Sequence, residues 1–591
     1  MDSSRALFRL SGYLKKHKAA LLTGSVWIIV LQAIALLIPW LTKLAVDEIS
    51  RGSHPRILLK YALIIVAASA VQGVFRFSMR KLMIGASREI EYELRNDLFA
   101  HLLRLSPSYF NRTRTGDIMA RATNDINAIR EFLGPGIMYS INTVITFVAA
   151  TSLMLYIDPR LTAYALIPIP ALALVVNRFG GLVRERFDKV QQQFSRLTAR
   201  AHENLSGIRI VKAYGTEDFE KTQFGILNDE YVAKNLRLVR VWGIFHPLIA
   251  LVGGLGAVVV LWIGGTEVVK GRISLGDFVA FSGYLAMLTW PAISLGWVVN
   301  LVQRGAASMN RVVQILDEKP EIADVAPLPI TALRGDIEFR NVSFSYCEGG
   351  PEVLRDISFK LPAGRKVALV GKTGTGKSTL INLLPRLFGP TAGSILIDGL
   401  DVQRIPLRVL RSGIGYVPQE SFLFSDTIRE NIAYGRPSAR DEEIAEVSVI
   451  SRIAEEVEEF GEKFDTLVGE RGITLSGGQK QRTAISRAVI VSPAILLLDD
   501  AFSNVDAATE REILKRLRDK LGDRTWIIAS HRISSISEAD EIIVLEDGKI
   551  AERGSQEELL RTGTLYKELH KRQVIEEELE DSSGTIGDGG D

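Results

Sequence analysis

Two adjacent acidic residues, Asp499 and Asp500, end the apolar part of the stretch AILLLDDAFSNVD, which runs from Ala494 to Asp506. Carboxylates side by side at the end of a buried strand repel each other, and each disfavours ionisation of the other. Such a pair is expected where a cation or a reaction needs both groups. The first question is which cation or reaction these two residues serve.

A glycine-rich segment, GKTGTGKST, follows the apolar strand KVALV and precedes the helical stretch LINLLPRL. It has the pattern Gly, four residues, Gly-Lys-Ser/Thr in the strand–loop–helix setting of a phosphate-binding loop. Glycines let the backbone N–H groups face phosphate oxygens, and the helix N-terminus adds its dipole. The predicted nucleotide-binding residues of this loop are Gly371, Lys372, Thr373, Gly374, Thr375, Gly376, Lys377, Ser378 and Thr379.

The loop gives the two acids a function. Lys377 is predicted to reach the β- and γ-phosphates and Ser378 to ligate Mg²⁺, with Asp499 as the carboxylate near that serine. Asp500, one residue later, is placed to face an attacking water as a general base. Without the glycine-rich loop, a helix N-cap followed by a satisfied acid would be the simpler interpretation of the pair.

A second glycine motif, LSGGQKQR, begins at Leu475, upstream of the Asp499 strand. Its Ser476, Gly477 and Gly478 at the start of a helix form another anion-binding N-terminus, with no substrate of its own in this chain. This motif is the feature that distinguishes among the many classes of phosphate-loop enzyme.

The composition indicates a membrane protein of more than one domain. The chain has 591 residues, of which 47% are hydrophobic, and a net charge of +2. This length exceeds one ordinary domain, and the small charge does not favour a nucleic-acid partner. Cys347 is the only cysteine, which excludes an intrachain disulfide and a thiolate metal cluster. We identify no removable signal peptide at the N-terminus.

Six long uncharged runs in the first half predict six transmembrane helices. Most of the runs reach the roughly 20 residues that span a hydrocarbon core. They are Ala19–Thr42, Tyr61–Phe75, Phe132–Ile157, Leu161–Asn177, Val241–Thr266 and Phe278–Gln303.

The basic residues predict the orientation of these helices. Ten Lys and Arg residues lie in 76–131 and twelve in 178–240, against four in 43–60. The positive-inside rule therefore places the long segments, both termini and the second half in the cytoplasm. Each long segment is expected to form two helical legs that reach about 40 Å below the membrane, with turning points at Thr113–Asp125 and Ala213–Glu220.

The second half alternates short β-rich runs with helical stretches, which predicts an α/β domain with a mostly parallel sheet and an antiparallel piece at its start. We predict a transmembrane domain over residues 1–305, a linker over 306–335, a nucleotide-binding domain over 336–575 and a disordered acidic tail over 576–591.

Together these motifs resemble a half-transporter of the ATP-binding cassette (ABC) exporter family, of the multidrug or lipid exporter kind. The resemblance covers roughly residues 5–575. It implies a dimer in which ATP and Mg²⁺ lie between the phosphate loop of one chain and the LSGGQ segment of the other. Residues 475–479 of this chain (Leu475, Ser476, Gly477, Gly478 and Gln479) would therefore complete the partner's ATP site.

The resemblance also implies roles for residues outside the loops. Tyr346 would stack on adenine, and Gln419 would contact Mg²⁺ and the water. His531 would contact the γ-phosphate and orient the water, and Asp506 in SNVD would lie at the dimer interface.

Asp500 departs from the family pattern, because members that hydrolyse ATP efficiently carry Glu there. Asp is one methylene shorter, which moves the carboxylate back by about 1 to 1.5 Å from the water it must contact, and misplacement of this size costs on the order of 10²-fold in rate. We therefore expect this chain to contribute the slow, degenerate ATP site of a heterodimer whose other chain carries the catalytic Glu. The alternatives are a homodimer with two slow sites and a membrane protein that ATP gates or regulates.

The sequence constrains the substrate least. The membrane runs contain almost no charge, which favours a hydrophobic or amphipathic substrate exported from the lipid bilayer of the plasma (inner) membrane. On the last helix, the side chains that are candidates for lining a cavity are Tyr284, Trp290, Asn300 and Gln303.

Overall fold

The computed structural model describes residues 3–52, 54–347, 349–530, 532–537 and 539–584. The chain divides by its internal contacts into two compact units. The first unit comprises Met1–Leu103 and Thr115–Glu318, and the second comprises Arg104–Arg114 and Lys319–Asp591.

The first unit contains six helices that are long and apolar enough to cross a membrane. Each of the six predicted runs falls inside one of them, so the predicted number and order of spans are confirmed. The helices as far as residue 316 are α1 (Ser3–Lys16), α2 (Lys18–Ser50), α3 (Pro55–Leu102), α4 (Pro107–Arg112), α5 (Thr115–Ile157), α6 (Pro159–Ser206), α7 (Ile208–Tyr214), α8 (Glu217–Val269) and α9 (Leu275–Leu316).

The membrane helices continue well past their apolar runs, as the long polar segments predict. Helix α3 has 48 residues, which at 1.5 Å per residue makes it about 72 Å long. The first turning point differs from the prediction, because α5 is already helical from Thr115. The turn is instead built around the short helix α4, whose Pro107 begins a new helix after the break at residues 103–106. The second turn lies at Gly215 and Thr216, inside the predicted segment, with Gly215 left-handed at φ +62°.

The boundary predicted at residue 305 is too early, because α9 continues to Leu316 and the first strand begins at Ile337. Met309 and Val312 are buried on this extension. Arg311 donates from Nε to Oδ2 of Asp125 at 2.8 Å, and Ser308 donates to Oδ1 of the same carboxylate at 2.9 Å. These contacts with α5 stabilise the helical form of the residues that were predicted to be linker.

Helix α9 meets the expectation of cavity-lining side chains only in part. Trp290 lines a cavity of the first unit, but Tyr284 is fully buried and donates its hydroxyl to the carbonyl of Leu36 at 2.9 Å. Asn300 and Gln303 lie outside the lining of that cavity. The prediction for Tyr284 is therefore wrong, because its ring packs between helices.

The second unit is an α/β domain with two sheets, and this confirms the predicted fold class. A four-stranded antiparallel sheet has the order β2-β1-β4-β5, and a six-stranded sheet has the order β10-β9-β3-β8-β7-β6, parallel except for the β9–β10 pair. The strands are β1 (Ile337–Phe344), β2 (Leu354–Leu361), β3 (Lys366–Val370), β4 (Ala392–Ile397), β5 (Leu400–Asp401), β6 (Ile414–Val417), β7 (Ile495–Asp499), β8 (Thr525–Ala529), β9 (Glu541–Glu546) and β10 (Lys549–Gly554). The helices are α10 (Lys377–Leu383), α11 (Leu407–Ser412), α12 (Ile428–Ala433), α13 (Asp441–Ile450), α14 (Ala454–Glu459), α15 (Gly477–Val489), α16 (Ala507–Leu521), α17 (Ile533–Ile536), α18 (Gln556–Thr562) and α19 (Leu565–Gly584).

The apolar run that ends in the two acids is the buried strand β7. Ile495 and Leu497 belong to one hydrophobic cluster, and Leu496 and Leu498 belong to another on the opposite face of the sheet. A parallel strand that is covered on both faces reads as a continuous apolar run, which explains the sequence. The carboxyl ends of β3, β8 and β7 are adjacent, so the residues that follow these strands meet at one edge.

The predicted disordered tail begins too early. Helix α19 continues to Gly584, so the chain is helical through the part of residues 576–591 that the structure describes. The last seven residues, 585–591, lie outside the described residues.

Candidate active site

The loop between β3 and α10 has a backbone that requires glycine at two positions. At Gly371 a Cβ atom would lie 2.4 Å from the carbonyl oxygen of Leu545. At Gly376, where φ is +99°, a Cβ would lie 2.7 Å from Cδ2 of Leu354. The loop therefore passes against β9 and against the start of β2 with no room for a side chain, which gives its concave shape a steric cause.

The Lys377 ammonium is drawn into this loop. Its Nζ donates to the carbonyl of Gly371 at 2.6 Å and to that of Lys372 at 3.0 Å. Burial lowers the pKa of Lys377, and the negative charges of Asp500 and Asp499 oppose that shift. A buried cation surrounded by loop backbone suits the binding of a polyanion such as a phosphate chain.

Ser378 and Asp499, the two predicted Mg²⁺ ligands, contact each other. The Ser378 hydroxyl donates to Oδ1 of Asp499 at 2.9 Å, and Asp499 is buried at 3% exposure. Burial raises the pKa of Asp499, and the neighbouring Asp500 raises it further, whereas the Ser378 hydrogen bond and Lys377 lower it. A hydroxyl and a carboxylate oxygen in contact are a donor set that fits Mg²⁺, which prefers hard oxygen ligands.

Asp500 has an unusual backbone conformation. Its φ is +49°, and its N–H donates to the carbonyl of Ala529 at the end of β8, at 2.8 Å. Few non-glycine residues adopt this left-handed region, and Asp is among those enriched in it. The sharp turn directs the chain out of β7, so that Asp500 is half-buried while Asp499 is buried in the same cleft.

One cleft of about 320 Å³ collects most of the predicted nucleotide residues. Those that line it are Tyr346, Thr373, Gly374, Gly376, Lys377, Ser378, Thr379, Gln419, Asp499 and Asp500. Gly371, Lys372 and Thr375 line an adjoining groove of about 680 Å³ on the other side of the loop. His531, the predicted γ-phosphate contact, lies outside the described residues.

Tyr346 presents an aromatic surface at the rim of this cleft. Its hydroxyl lies 2.9 Å from Oγ1 of Thr379, and its ring meets Phe344 and Phe388 edge to face. These contacts hold the ring from one side, and the residue remains 45% exposed. An aromatic ring fixed in this way can stack on a planar base.

The LSGGQ segment lies in a different cleft. Ser476 accepts from the N–H of Gln479 at 3.3 Å and donates its own N–H to that side chain at 2.8 Å, which is a capping box at the start of α15. Leu475 is buried below the turn. The cleft also contains Gly477, Gly478 and Asp506, and it shares no lining residue with the cleft at the phosphate loop. The structure therefore does not bring the two predicted halves of an ATP site together within one chain.

Asp506, predicted at the dimer interface, caps helix α16. Its Oδ1 accepts from the N–H of Thr509 at 2.8 Å. This backbone hydrogen bond is the main cause that lowers the pKa of Asp506. The residue is exposed next to Asn504 on the rim of the LSGGQ cleft.

Sequence reasoning missed Gln481, which joins the LSGGQ helix to the segment after the two acids. Gln481 is 1% exposed. Its side chain donates to Oγ of Ser503 at 2.7 Å and accepts from the N–H of Asn504 at 2.8 Å. The only signal in the sequence was its place inside LSGGQKQR, since nothing local indicates which loop it contacts.

A second missed contact joins Arg532, the residue after His531, to the same segment. The Arg532 guanidinium donates to the carbonyl of Ser503 at 3.2 Å and to Glu510 at 2.7 Å. Glu510 lies in α16 and is fully buried, so this ion pair is strongly held. Gln481 and Arg532 together fix the Ser503–Asp506 segment from both sides.

Comparison with known proteins agrees with this architecture. The family model of the ABC transporter transmembrane region matches residues 21–292, and the family model described as ABC transporter matches residues 354–503. A Bacillus subtilis (strain 168) protein described as a probable multidrug resistance ABC transporter ATP-binding/permease protein, YheI, is 36% identical over 96% of this chain and 98% of its own length. An ATP-dependent lipid A-core flippase of Desulfotalea psychrophila (strain LSv54 / DSM 12343) is 34% identical over 97% of this chain and 100% of its own length.

A solved structure has the same fold over almost the whole chain. A bacterial Atm1-family ABC exporter with ATP bound superposes with a TM-score of 0.77 at 31% sequence identity, over 95% of this chain and 98% of that one. With six helices able to span a membrane and an ATP-binding α/β domain, the chain belongs to the ABC exporter family as a half-transporter, a multi-pass membrane ATPase that couples hydrolysis to transport.

Proposed function

We propose that this chain exports hydrophobic or amphipathic compounds as one half of a heterodimer, in which its own phosphate loop and Asp500 form the slow ATP site. The observation that carries the proposal is the short carboxylate of Asp500 in the cleft that also contains Lys377, Ser378, Gln419 and Asp499. The two relatives named above are described as a multidrug resistance transporter and a lipid A-core flippase, which supports an amphipathic substrate.

The nucleotide residues have the following proposed roles. The phosphate loop and Lys377 hold the triphosphate, and Tyr346 stacks on the base. Ser378, Asp499 and Gln419 are the oxygen donors for Mg²⁺, which supplies positive charge near the phosphates when it is bound. Asp500 accepts the proton of the attacking water at its carboxylate, with His531 orienting that water.

The separation of the two clefts supports the proposed dimer. The LSGGQ cleft and the phosphate-loop cleft have no lining residue in common, which fits a site that each of two chains completes for the other. In a heterodimer the LSGGQ segment of this chain completes the fast site of a partner with Glu at the position of Asp500. We further propose that both termini and the ATP-binding domain lie in the cytoplasm and that the protein spans the plasma (inner) membrane.

The test is to purify the chain from its native membrane through a tag and to identify the copurifying protein by mass spectrometry. We expect a second ABC half-transporter with Glu at the equivalent position. ATP-dependent, vanadate-sensitive uptake of an amphipathic dye into inverted vesicles then tests export. Passive flux without hydrolysis would contradict export and favour a gated protein.

The ATPase activity of the chain purified alone is the measurement that could contradict the heterodimer. If it hydrolyses ATP rapidly and Asp500→Asn abolishes that activity, a homodimer with competent sites replaces the heterodimer. We expect only slow hydrolysis from the single chain, together with ordinary nucleotide binding, because the phosphate loop is intact.

A further inference from the structure

An open cavity of about 320 Å³ in the first unit is lined in part by two arginines of α3, Arg76 and Arg80, which are both exposed in this chain. The second predicted membrane run ended at Phe75, so the sequence analysis counted both arginines with the cytoplasmic segment. Their position in the membrane depends on the register between α3 and its neighbour α2.

The contact between Gly24 and Met83 sets that register. A Cβ on Gly24 would lie 2.6 Å from Sδ of Met83, so α2 and α3 touch at this level. The two helices are antiparallel, and Arg76 precedes Met83 by seven residues, which places it about 10 Å further from the inner end of the membrane run. The apolar run of α2 begins at Ala19, five residues before Gly24, so Arg76 lies about 18 Å into a run of about 36 Å. Arg76 therefore lies near the middle of the predicted span, and Arg80 lies about 6 Å closer to the end that we propose faces the cytoplasm.

Charged residues at this depth are costly and mark functional positions. No acidic side chain is among the described residues that line the cavity. Within the described part of the chain, neither arginine forms an ion pair with an Asp or Glu. The positive charge in this cavity is therefore not neutralised by the described residues of the same chain.

The remaining lining suits the two ends of an amphiphile. The Gln32 amide hydrogen-bonds the Asn142 side chain inside the apolar bundle, and Thr146 lies beside them. Met79, Met138 and Trp290 supply an apolar wall. Methionines adapt to irregular apolar shapes, and the volume accommodates a head group with part of a chain.

We propose that this cavity binds the anionic head group, a phosphate or a carboxylate, of an amphipathic substrate, with Arg76 and Arg80 as the residues that select the negative charge. The inference rests on the proposed export of amphiphiles and specifies its substrate class. Arginine binds the oxygens of either anion in a bidentate geometry, and charge-assisted hydrogen bonds of this kind are stronger than those between neutral groups.

The test is equilibrium binding of radiolabelled dodecyl phosphate to the full transporter in phosphatidylcholine nanodiscs, with dodecyl maltoside and dodecyltrimethylammonium as competitors. All three carry the same tail, so a difference isolates the head-group charge. We expect the dissociation constant of dodecyl phosphate to be lower than that of dodecyltrimethylammonium by about tenfold or more. One charged contact corresponds to about that factor. Equal affinity for the three head groups would overturn the proposal.

Variants of this chain locate the binding. Arg76→Gln and Arg80→Gln should each weaken dodecyl phosphate binding by about tenfold. Arg76→Lys keeps the charge but loses the bidentate geometry, so it should weaken binding less than Arg76→Gln does. Arg237→Gln, an exposed arginine of α8 outside the cavity, is the matched control and should bind as the original chain does. Thermal stabilisation by ATP shows that each variant is folded. Unchanged binding in folded Arg76→Gln and Arg80→Gln variants would contradict the assignment.

One further comparison identifies the source of the anion. Another distinguishes a failure of the proposed anion site from a failure of the proposed export. If phosphatidylglycerol in the nanodisc competes with dodecyl phosphate, the anion comes from the bilayer; if it does not, the site takes a soluble amphiphile, and both results support the cavity. ATP-dependent uptake of a neutral or cationic amphiphile without arginine-dependent anion binding would overturn this inference alone. Arginine-dependent binding without ATP-dependent movement of any amphiphile would support the site and contradict export.

Discussion

At the scale of single residues, the two adjacent acids have different environments. Asp499 is buried and bonded to Ser378, whereas Asp500 is half-buried after a left-handed turn. The turn brings Asp500 to the cleft, but its side chain is one methylene shorter than Glu. The position of the carboxylate therefore depends on both the backbone turn and the length of the side chain.

The first prediction concerns this length. Asp500→Glu should raise ATP turnover of the assembled transporter, by about tenfold or more at this site, because the carboxylate then reaches the water. Phosphate release by the purified complex is the measurement. Asp500→Asn is the control, since Asn also tolerates the left-handed backbone but cannot accept the proton. Equal turnover for Glu and Asp at this position would show that carboxylate length does not limit the rate.

Tyr346 supports a second prediction at the same scale. Tyr346→Ala should weaken ATP binding by about tenfold, since stacking of a base on an aromatic ring contributes about 1–3 kcal/mol. Tyr346→Phe should bind nearly as well, because it keeps the ring and loses only the hydroxyl contact with Thr379. Titration with a fluorescent ATP analogue measures both, and a large loss in the Phe variant would assign the effect to the hydroxyl instead.

At the scale of elements, the segment Ser503–Asp506 connects β7 to α16 and is held by contacts from two directions. Gln481 of α15 binds it on one side, and Arg532 with Glu510 binds it on the other. Asp506 ends the segment as the N-cap of α16. The LSGGQ helix, the residue after His531 and this segment are thus mechanically joined.

The cap gives a prediction with a pH dependence. Asp506→Ala should destabilise the start of α16 by about 1 kcal/mol, because the N–H of Thr509 loses its acceptor. A loss of that size corresponds to roughly fivefold faster amide exchange. The pKa of Asp506 is lowered in the folded chain, so its ionic contribution is present above the ordinary pKa of Asp, about 3.9, and is lost as the pH falls through the lower folded value.

Hydrogen exchange of residues 507–521 in the full transporter measures the effect, after correction for intrinsic rates. Asp506→Asn is the control, since Asn caps equally well but does not titrate. The original chain should lose part of its protection on acidification below about pH 4, and the Asn variant should not. The same acid-induced loss in both would show that Asp506 is not its source.

At the scale of the whole molecule, the packing of the helices indicates that the second membrane segment extends beyond the end of its apolar run. The contact of Gly24 with Met83 and the antiparallel pairing of α2 and α3 bring Arg76 to the level of Gln32, which lies within the run of α2 predicted to span the membrane. The basic residues beyond this segment still favour a cytoplasmic second half.

The single cysteine allows a direct test of that orientation. Cys347 is exposed on the ATP-binding domain. A membrane-impermeant maleimide should therefore label it in inverted vesicles and not in intact cells. In a Cys347→Ser background, Arg51→Cys in the turn between α2 and α3 should show the reverse pattern. Labelling of Cys347 in intact cells would contradict the predicted topology.

The sequence alone was sufficient for the six spans, the α/β class and the residues gathered at the phosphate loop, because these depend on local periodicity and on motifs with a fixed spacing. The same motifs identified Asp500 as a departure from the Glu of the family pattern, because the fixed spacing of the motif determines which residue occupies that position. Its left-handed backbone and the capping role of Asp506 required the structure.

Only the tertiary structure decided the features that depend on contacts between distant segments. The extension of α9 to Leu316 depends on Asp125, and the position of the Ser503–Asp506 segment depends on Gln481 and Arg532. The depth of Arg76 depends on how α2 packs against α3. Hydropathy measures the polarity of one stretch of chain, whereas the depth of a residue in the membrane follows from the register between helices, and one sequence window does not contain that register.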